Sequence, residues 1–465
     1  MKDVKSVLRA FLLTHILIVI PGHFLSITYG QTPIFTPAKE NTALFTSLLT
    51  ESEKIYKAEL AALPARGKKD YEEIYKLHWD AIKEVIGKKE MYTADSARQY
   101  LDALVSEIKR ANPGLQQQQF RCFFSRSGIP NASYIGSGII LFNMGLFSRL
   151  NNESEAAFVL CHEIAHFYLH HMDNAIRKYV DTMNSAQMQE ALRQIKDTEY
   201  GKRQMLDKLV KGFTFNTRRH SRDHESQADS MALAFMHNTR FDKTAALSLL
   251  TLLDNIDEDT LNINSRLEVM FNAEKYPFRK KWTTRKTGLL GSVVVEENKA
   301  LSDSLKTHPD CQKRIALLSP AISGYQTGNE SKDPVSRQQF ETLQRTFRYE
   351  VIEYAYANDN YSLSLYYTIA LLGQLPDDPY LVTSVGRVMN SCYTAQKEHV
   401  LGKRIDLPGA GQTGGYNALL HFLQQLYIED YAGIGYNYLL RYQDRFNDYA
   451  AFRKELDAGE RFTKE

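Results

Sequence analysis

Residues 162–166 read His-Glu-Ile-Ala-His. Four residues are just over one helical turn, so both imidazoles leave the same face. Neutral imidazole is a good zinc ligand, and a glutamate between two such ligands can reach a water on the ion. The pattern reads as a metal site, with His162 and His166 as ligands and Glu163 as general base. The alternative is a pair of histidines on an ordinary polar helix face. Asn152, with Glu155 three positions on, has the form of a helix start, and Ala156 to Cys161 is an unbroken apolar run. A helix that is apolar all round is buried, and buried ionisable groups need partners. A divalent cation would satisfy all three residues.

Catalytic zinc usually has three protein ligands and keeps the fourth position for water. A histidine ten residues after the first is one way to complete such a site, but that position is Met172, with no glycine before it. A glutamate on a later helix is the other way. Glu225 and Asp229 stand four apart and share a face, and Ala228, Ala232 and Ala234 would let that helix approach closely. The sequence therefore gives Glu225 as third ligand and Asp229 as the acceptor that orients an imidazole, that of His162. A solvated face on a charged helix is the bland alternative for this pair.

Several stretches in order carry a family resemblance. They are Ile129-Pro130-Asn131-Ala132, Gly136-Ser137-Gly138-Ile139-Ile140-Leu141, Gly145-Leu146, Asn152-Glu153-Ser154-Glu155, the His162–His166 run with His171, Glu225 with Ala228 and Asp229, and Thr307-His308-Pro309 with Arg314-Ile315. Over roughly 120–320 the chain resembles the zinc metalloendopeptidases of the HtpX and CaaX-prenyl-protease type, metallopeptidase family 48, which includes soluble exported BepA-like members. Ile164-Ala165 departs from the commoner Leu-Gly, and an insert at about 256–300 precedes Thr307.

The resemblance implies one zinc per chain and hydrolysis of peptide bonds in protein or peptide substrates. Zinc makes water deprotonable near neutral pH, and Glu163 would move its proton to the leaving amine. The stretch Gly136, Ser137, Gly138, Ile139, at the start of a strand running to Phe142, is the candidate substrate-binding edge; an ordinary core strand is the alternative. His308 is expected over the zinc, as a catalytic donor or as a cap on the water position. His171 is read as a helix-end or outer supporting residue, and His170, His220 and His224 as polar-face residues.

The elements that must position these residues follow from punctuation and periodicity. Helices are expected at Leu44–Leu63, Tyr71–Ile86 and Thr93–Ala111, and strands at Phe120–Phe124 and Ile135–Phe142. From Glu153 onward the pattern is helical, with 174–219 as a long, charged, partly exposed helix. The fold class is mainly α with a small β-sheet, an α+β zincin-like peptidase core, followed by an all-α region. Expected boundaries are 1–30 as signal peptide, 31–320 as metallopeptidase domain (31–115 N-terminal helices, 116–320 catalytic core) and 335–465 as a helical, tetratricopeptide-like domain. That last expectation rests on similar segments near Tyr361 and Tyr431, about twice the repeat period of 34 apart; a plain helical bundle is the alternative.

Lys2, Lys5 and Arg9 before an apolar stretch from Ala10 to Ile20, then Pro21-Gly22, have the layout of a signal peptide cleaved near residue 30, and an uncleaved anchor is the alternative. Export to the periplasm or beyond is expected, and contact with a membrane at its periphery is compatible with it. Those cations, against Asp3, account for the whole net charge of +2, so nothing in the remainder suggests nucleic-acid binding. Cys122, Cys161, Cys311 and Cys392 form no disulfide framework; a Cys161–Cys311 bridge or four buried thiols are the two readings. The glycines near 409–415 lack the Gly-Lys-Ser/Thr of a phosphate loop. By resemblance the role is envelope protein quality control, with the C-terminal repeats recruiting a protein partner. A chaperone or adaptor with an idle or capped metal site is the second reading.

Overall fold

Alternation along two short strands sets the architecture. Cys122 and Phe124 of one, with Ile140 and Phe142 of the other, enter one buried cluster, while Phe123, Ile139 and Leu141 enter another. Successive side chains in a strand point to opposite faces, so this sheet is covered on both sides. The computed structural model describes residues 34–197, 222–256, 261–284, 311–325, 330–409 and 413–465. Residues Phe35–Glu465 form one compact unit.

The sheet comprises β1 (Met91–Tyr92), β2 (Arg121–Ser125), β3 (Ala132–Gly136) and β4 (Ile139–Asn143), in the order β1-β2-β4-β3. β2 and β4 run parallel, and β3 and β4 antiparallel. Helices α1 (Thr42–Ala61) and α2 (Lys68–Gly87) cover one face through Phe45, Leu48, Ile82 and Ile86. The N-terminal helices thus form the outer layer of the sheet. The other face packs on α3 (Asp95–Ala111) and α5 (Glu153–Tyr168), with short α4 (Met144–Phe147) between sheet and α5. In α3 the buried Ala97, Tyr100, Leu101, Leu104 and Ile108 recur at helical spacing, which is why it lies flat on the core.

The strand expected to run from 135 to 142 is a hairpin. Ser137 and Gly138 take positive φ (49° and 69°), and the turn they make divides β3 from β4. A Cβ on Gly138 would stand 2.6 Å from the Gln119 carbonyl oxygen, so glycine is required there. This corrects the expected substrate edge: Gly136 closes β3, Ser137 and Gly138 are turn residues, and Ile139 lies fully buried in an interior strand. The edge strands are β1 and β3, and β3 is the one that lies against α5.

α6 (His171–Met183) and α7 (Ala186–Asp197) break at Asn184-Ser185, where one long helix was expected; 198–221 lies outside the described residues. α8 spans 222–237. α9 (Ala245–Asn255) and α11 (Cys311–Gly324) complete the first core around α5.

A second core holds α10 (Ile263–Phe271), α13 (Tyr361–Leu372), α14 (Pro379–Lys397), α15 (Gly414–Gln425), α16 (Ile428–Leu440) and α18 (Ala450–Phe462), with α17 (Gln443–Phe446) beside α18. α14 sits among α13, α16 and α18 and is buried on nearly every side. Part of the insert joins this second core: Ile263, Leu267, Phe271 and Trp282 pack there. α12 (Arg337–Ala357) serves both cores, giving Phe340, Phe347 and Val351 to the first and Ile352 to the second. None of the described helices is long and apolar enough to cross a membrane. None of the four cysteines is in a disulfide and all are buried, so Cys161 and Cys311 are thiols.

Candidate metal centre

The start of α5 is built as its sequence requires. The Asn152 side chain accepts from the Glu155 N–H, capping the helix. The apolar run then buries every residue from Glu153 to Cys161, and this fixes the rotation of the next turn. On that turn the Nε2 atoms of His162 and His166 lie 3.1 Å apart. α8 crosses beside it, with Ala228 and Ala232 fully buried in the same cluster. Small side chains let the two helices approach, and Glu225 arrives opposite the histidines. Its carboxylate lies 3.4 Å from His162 Nε2 and 3.5 Å from His166 Nε2.

These separations test the fit to a metal. Zinc sits about 2.0–2.2 Å from nitrogen and carboxylate ligands, so two tetrahedral ligands stand roughly 3.3 Å apart. The two ring nitrogens stand 3.1 Å apart, and each has a different Glu225 oxygen at 3.4 or 3.5 Å, close to that value. Among the described residues this is the group of histidine, cysteine and acidic side chains close enough to share an ion. Arg314 is the cation that faces Glu225 and Asp229.

Asp229, one turn after Glu225, places Oδ1 3.0 Å from His162 Nδ1. The ring N–H direction misses the oxygen, so this is a close electrostatic contact more than an aligned hydrogen bond. Arg314 grips Asp229 from the other side, donating from Nε at 2.6 Å and from Nη2 at 2.7 Å. Its Nη1 lies 3.6 Å from Glu225. A two-pronged guanidinium contact fixes the plane of a carboxylate as well as its charge. Burial favours the neutral carboxyl of Asp229, but Arg314 and His162 outweigh it and hold the group below its ordinary range. Glu225 is likewise held far below its range: burial opposes, and His162, His166 and Arg314 outweigh it. Burial would discharge the His162 ring, but Asp229 and Glu225 together hold its pKa up to about 10.

Two further residues hold the centre. Glu163 is buried, and its Oε2 accepts the main-chain N–H of Tyr134 in β3 at 2.9 Å. One carboxylate oxygen is thereby anchored to the edge strand. His171, at the start of α6, brings Nδ1 to 3.0 Å from His166 Nδ1, while its Nε2 lies 3.2 Å from Gln227 Oε1. Burial, with His166 and His224 beside it, lowers the His171 pKa to about 4. A neutral ring donating to Gln227 accepts at Nδ1, and that fixes His166 with Nδ1 protonated and Nε2 free.

The structure brings together His162, Glu163, His166, Glu225 and Asp229, and places Gly136, Ser137, Gly138 and Ile139 away from them, around the hairpin turn. His170 is exposed, with Nδ1 3.4 Å from Asp173. His224 stacks on His171 at 4.3 Å. His308 and His220 lie outside the described residues. The Arg314 clamp and the Tyr134 anchor were missed. Arg314 had a signal: Cys311, Arg314, Leu318 and Ile322 make one buried face of α11, and a cation in an apolar stripe requires a partner. Tyr134 had none, because the contact is made by its backbone.

Fold and site define a metallopeptidase, a hydrolase built around an HExxH helix. Residues 95–322, close to half of the chain, match the model of peptidase family M48. The matched span runs from α3 through α11 and contains each of the clustered residues. No curated protein matches the chain.

Proposed function

We propose that the protein is a zinc-dependent endopeptidase in which His162, His166 and Glu225 hold the metal and Glu163 is the general base. One observation carries this reading: two imidazole nitrogens and the Glu225 carboxylate converge closely enough to share an ion, beside a glutamate that has one oxygen anchored to the Tyr134 N–H. Zinc, when bound, supplies Lewis acidity, making water deprotonable near neutral pH and polarising a carbonyl. Glu163 takes the proton of the attacking water and returns it to the leaving nitrogen, with its reach set by the Tyr134 N–H. Asp229 and Arg314 hold the His162 ring in position, and His171 holds that of His166.

Substrate backbone would add to β3. Asn143 N–H bonds the Asn131 carbonyl, so alternate residues from 131 face β4, and Ala132 and Tyr134 face outward. The Tyr134 N–H is taken by Glu163, leaving its carbonyl and both polar groups of Ala132 for an incoming strand. Binding through main-chain bonds depends little on sequence. That suits an enzyme acting on misfolded proteins outside the cytoplasm, with the C-terminal helices selecting clients. Export through cleavage near residue 30 belongs to the same reading.

The test compares wild type with Glu163→Gln on denatured casein, with and without chelator. The variant keeps about one zinc per chain and loses roughly 10²- to 10⁴-fold in rate, the worth of a general base. Equal, chelator-insensitive behaviour of both proteins would instead support an adaptor with an idle centre.

A further inference from the structure

The cleft at the metal centre follows β3, and its lining runs from Met172 to Asn131. Before Asn131 the chain arrives from β2 through a turn at residues 126–130. That turn is fixed from within. The Ile129 carbonyl accepts from the Asn131 N–H at 2.9 Å and from the Asn143 side chain at 3.1 Å. The Ser127 carbonyl accepts from the Gly145 N–H at 3.0 Å. The turn also meets the C-terminal helices. A Cβ on Gly128 would stand 2.3 Å from the Tyr367 hydroxyl of α13, so only glycine permits this approach.

A second cavity, of about 330 Å³, opens at this junction. Ile129 lines it from the turn, Val351 and Tyr354 from α12, and Leu363 and Tyr367 from α13. The charged groups at its margin are already engaged. Arg126 donates to Glu350 and to the Lys89 and Met91 carbonyls. Lys88 pairs with Glu84, and Glu90 accepts from the Ser125 hydroxyl. The surface left for a ligand is therefore largely apolar. Ile129 stands at its corner, 57% exposed.

Strand direction leads a substrate from the first cavity to the second. Tyr134 lies against Glu163 and Phe167, and a Cβ on Gly136 would stand 4.0 Å from Met172 Sδ. β3 therefore runs the same way as α5, toward α6. A peptide added antiparallel to β3 runs the opposite way. Its residues before the scissile bond pass Met172, and those after it pass Asn131 and leave toward Ile129. Ile129 precedes Tyr134, the residue bonded to Glu163, by five positions. Paired strands advance at the same rate, so a substrate residue about four to six places after the scissile bond arrives there. We infer that the cavity between the 126–130 turn and helices α12 and α13 is a distal subsite for the substrate chain. It takes a large apolar or aromatic side chain about four to six residues after the scissile bond. The inference rests on the peptidase reading above and gives the C-terminal helices a direct part in choosing the substrate. A charged side chain would lose hydration here with no partner in return.

The test uses the full zinc-loaded protein and a casein fragment that it cuts, found by mass spectrometry. The fragment is remade with its C-terminal side ending about two to eight residues after the bond. For wild type, kcat/KM should rise about tenfold when Leu or Phe enters at the distal position, the worth of one apolar pocket. Asp or Gly there should give no rise. Ile129→Asp, at an exposed position, should flatten this length profile, and Leu363→Ala should reduce the step several-fold. Both variants should match wild type in zinc content and circular dichroism. If Leu363→Ala does not fold, the wild-type profile and Ile129→Asp still decide. A binding measurement separates recognition from chemistry. Glu163→Gln should hold the long apolar peptide about tenfold tighter than the short one, by fluorescence anisotropy, and Ile129→Asp in that background should remove the difference. Zinc-dependent cleavage with no length effect, or with an effect that both variants leave unchanged, overturns the distal subsite and spares the peptidase. Absence of zinc-dependent cleavage of every peptide and of casein overturns both.

Discussion

Fully buried acids lie at the start of α5, and a partly buried one, Glu225 of α8, faces its other end; the two are held differently. At its start, Glu153 is fully buried and its oxygens accept from the Tyr100 hydroxyl at 2.9 Å and the Val335 and Ser336 N–H groups, each at 2.7 Å. Glu155, also fully buried, is held by Asn151 and Ser248. These donors are fixed and neutral, and each is within ordinary hydrogen-bond length. At the other end, Glu225 meets two imidazoles at distances too long for good hydrogen bonds, in a ring of three donors that share a centre. The first arrangement is closed, whereas the second is complete only with a cation. Burial of a carboxylate therefore does not identify a functional site by itself; the difference lies in whether its partners are saturated by one another.

Substitution of Glu153 separates the two ends most strongly. Glu153→Ala strands a hydroxyl and two backbone N–H groups in the core. An uncompensated loss of this kind costs about 3–5 kcal/mol. Chemical denaturation should show that loss, while the fraction that remains folded binds zinc as wild type does. A large change in zinc affinity would mean that the two ends are coupled through α5, and the comparison would fail.

Glu225→Ala is the mirror experiment. Zinc at a thousand times its dissociation constant stabilises a binding-competent fold by about 4 kcal/mol. Wild type should show that gain as a rise in melting temperature on adding zinc, and the variant should show almost none. Without metal the variant should melt lower, because the contacts that hold Glu225 ionised are lost, so the zinc response is read against each protein's own metal-free melting point. A variant that keeps the zinc response would remove Glu225 from the ligand set.

This contrast also explains what could be read in the chain. The HExxH spacing, the Asn152 cap and the apolar run are local, and each acts within a turn or two of itself. The Glu225–Asp229 pair was legible because helical spacing puts both on one face. The hairpin was not, since Ile135 and the apolar run Ile139–Phe142 read as one strand across a turn marked by Gly136, Ser137 and Gly138. The free edge was consequently assigned to the wrong strand. Nor does any local pattern show that Val335 and Ser336, about 180 residues away, close the site of Glu153, or that Arg314 clamps Asp229 from 85 residues away. Such pairings depend on the whole topology, of which the sequence states only the local parts.

Glu59 supplies a third case, with neither fixed donors nor a ring of ligands. It lies half-buried on α1, with Tyr75 and His78 of α2, Asp173 of α6 and Tyr134 of β3 around the same small cavity. Burial first, and Asp173 second, push its pKa up to about 7 from 4.5. The folded state thus binds a proton that the unfolded chain releases. Stability from this residue is fully present below about pH 4.5 and falls as pH rises to about 7. Glu59→Gln removes the ionisation and keeps the shape. At pH 8 the variant should melt higher than wild type, on the order of 1 °C because solvent screens a half-exposed group. At pH 4 the two should coincide. Equal melting at both values would mean that water reaching Glu59 already does what donors do for Glu153, and half-burial would then exact no penalty from an unpaired acid.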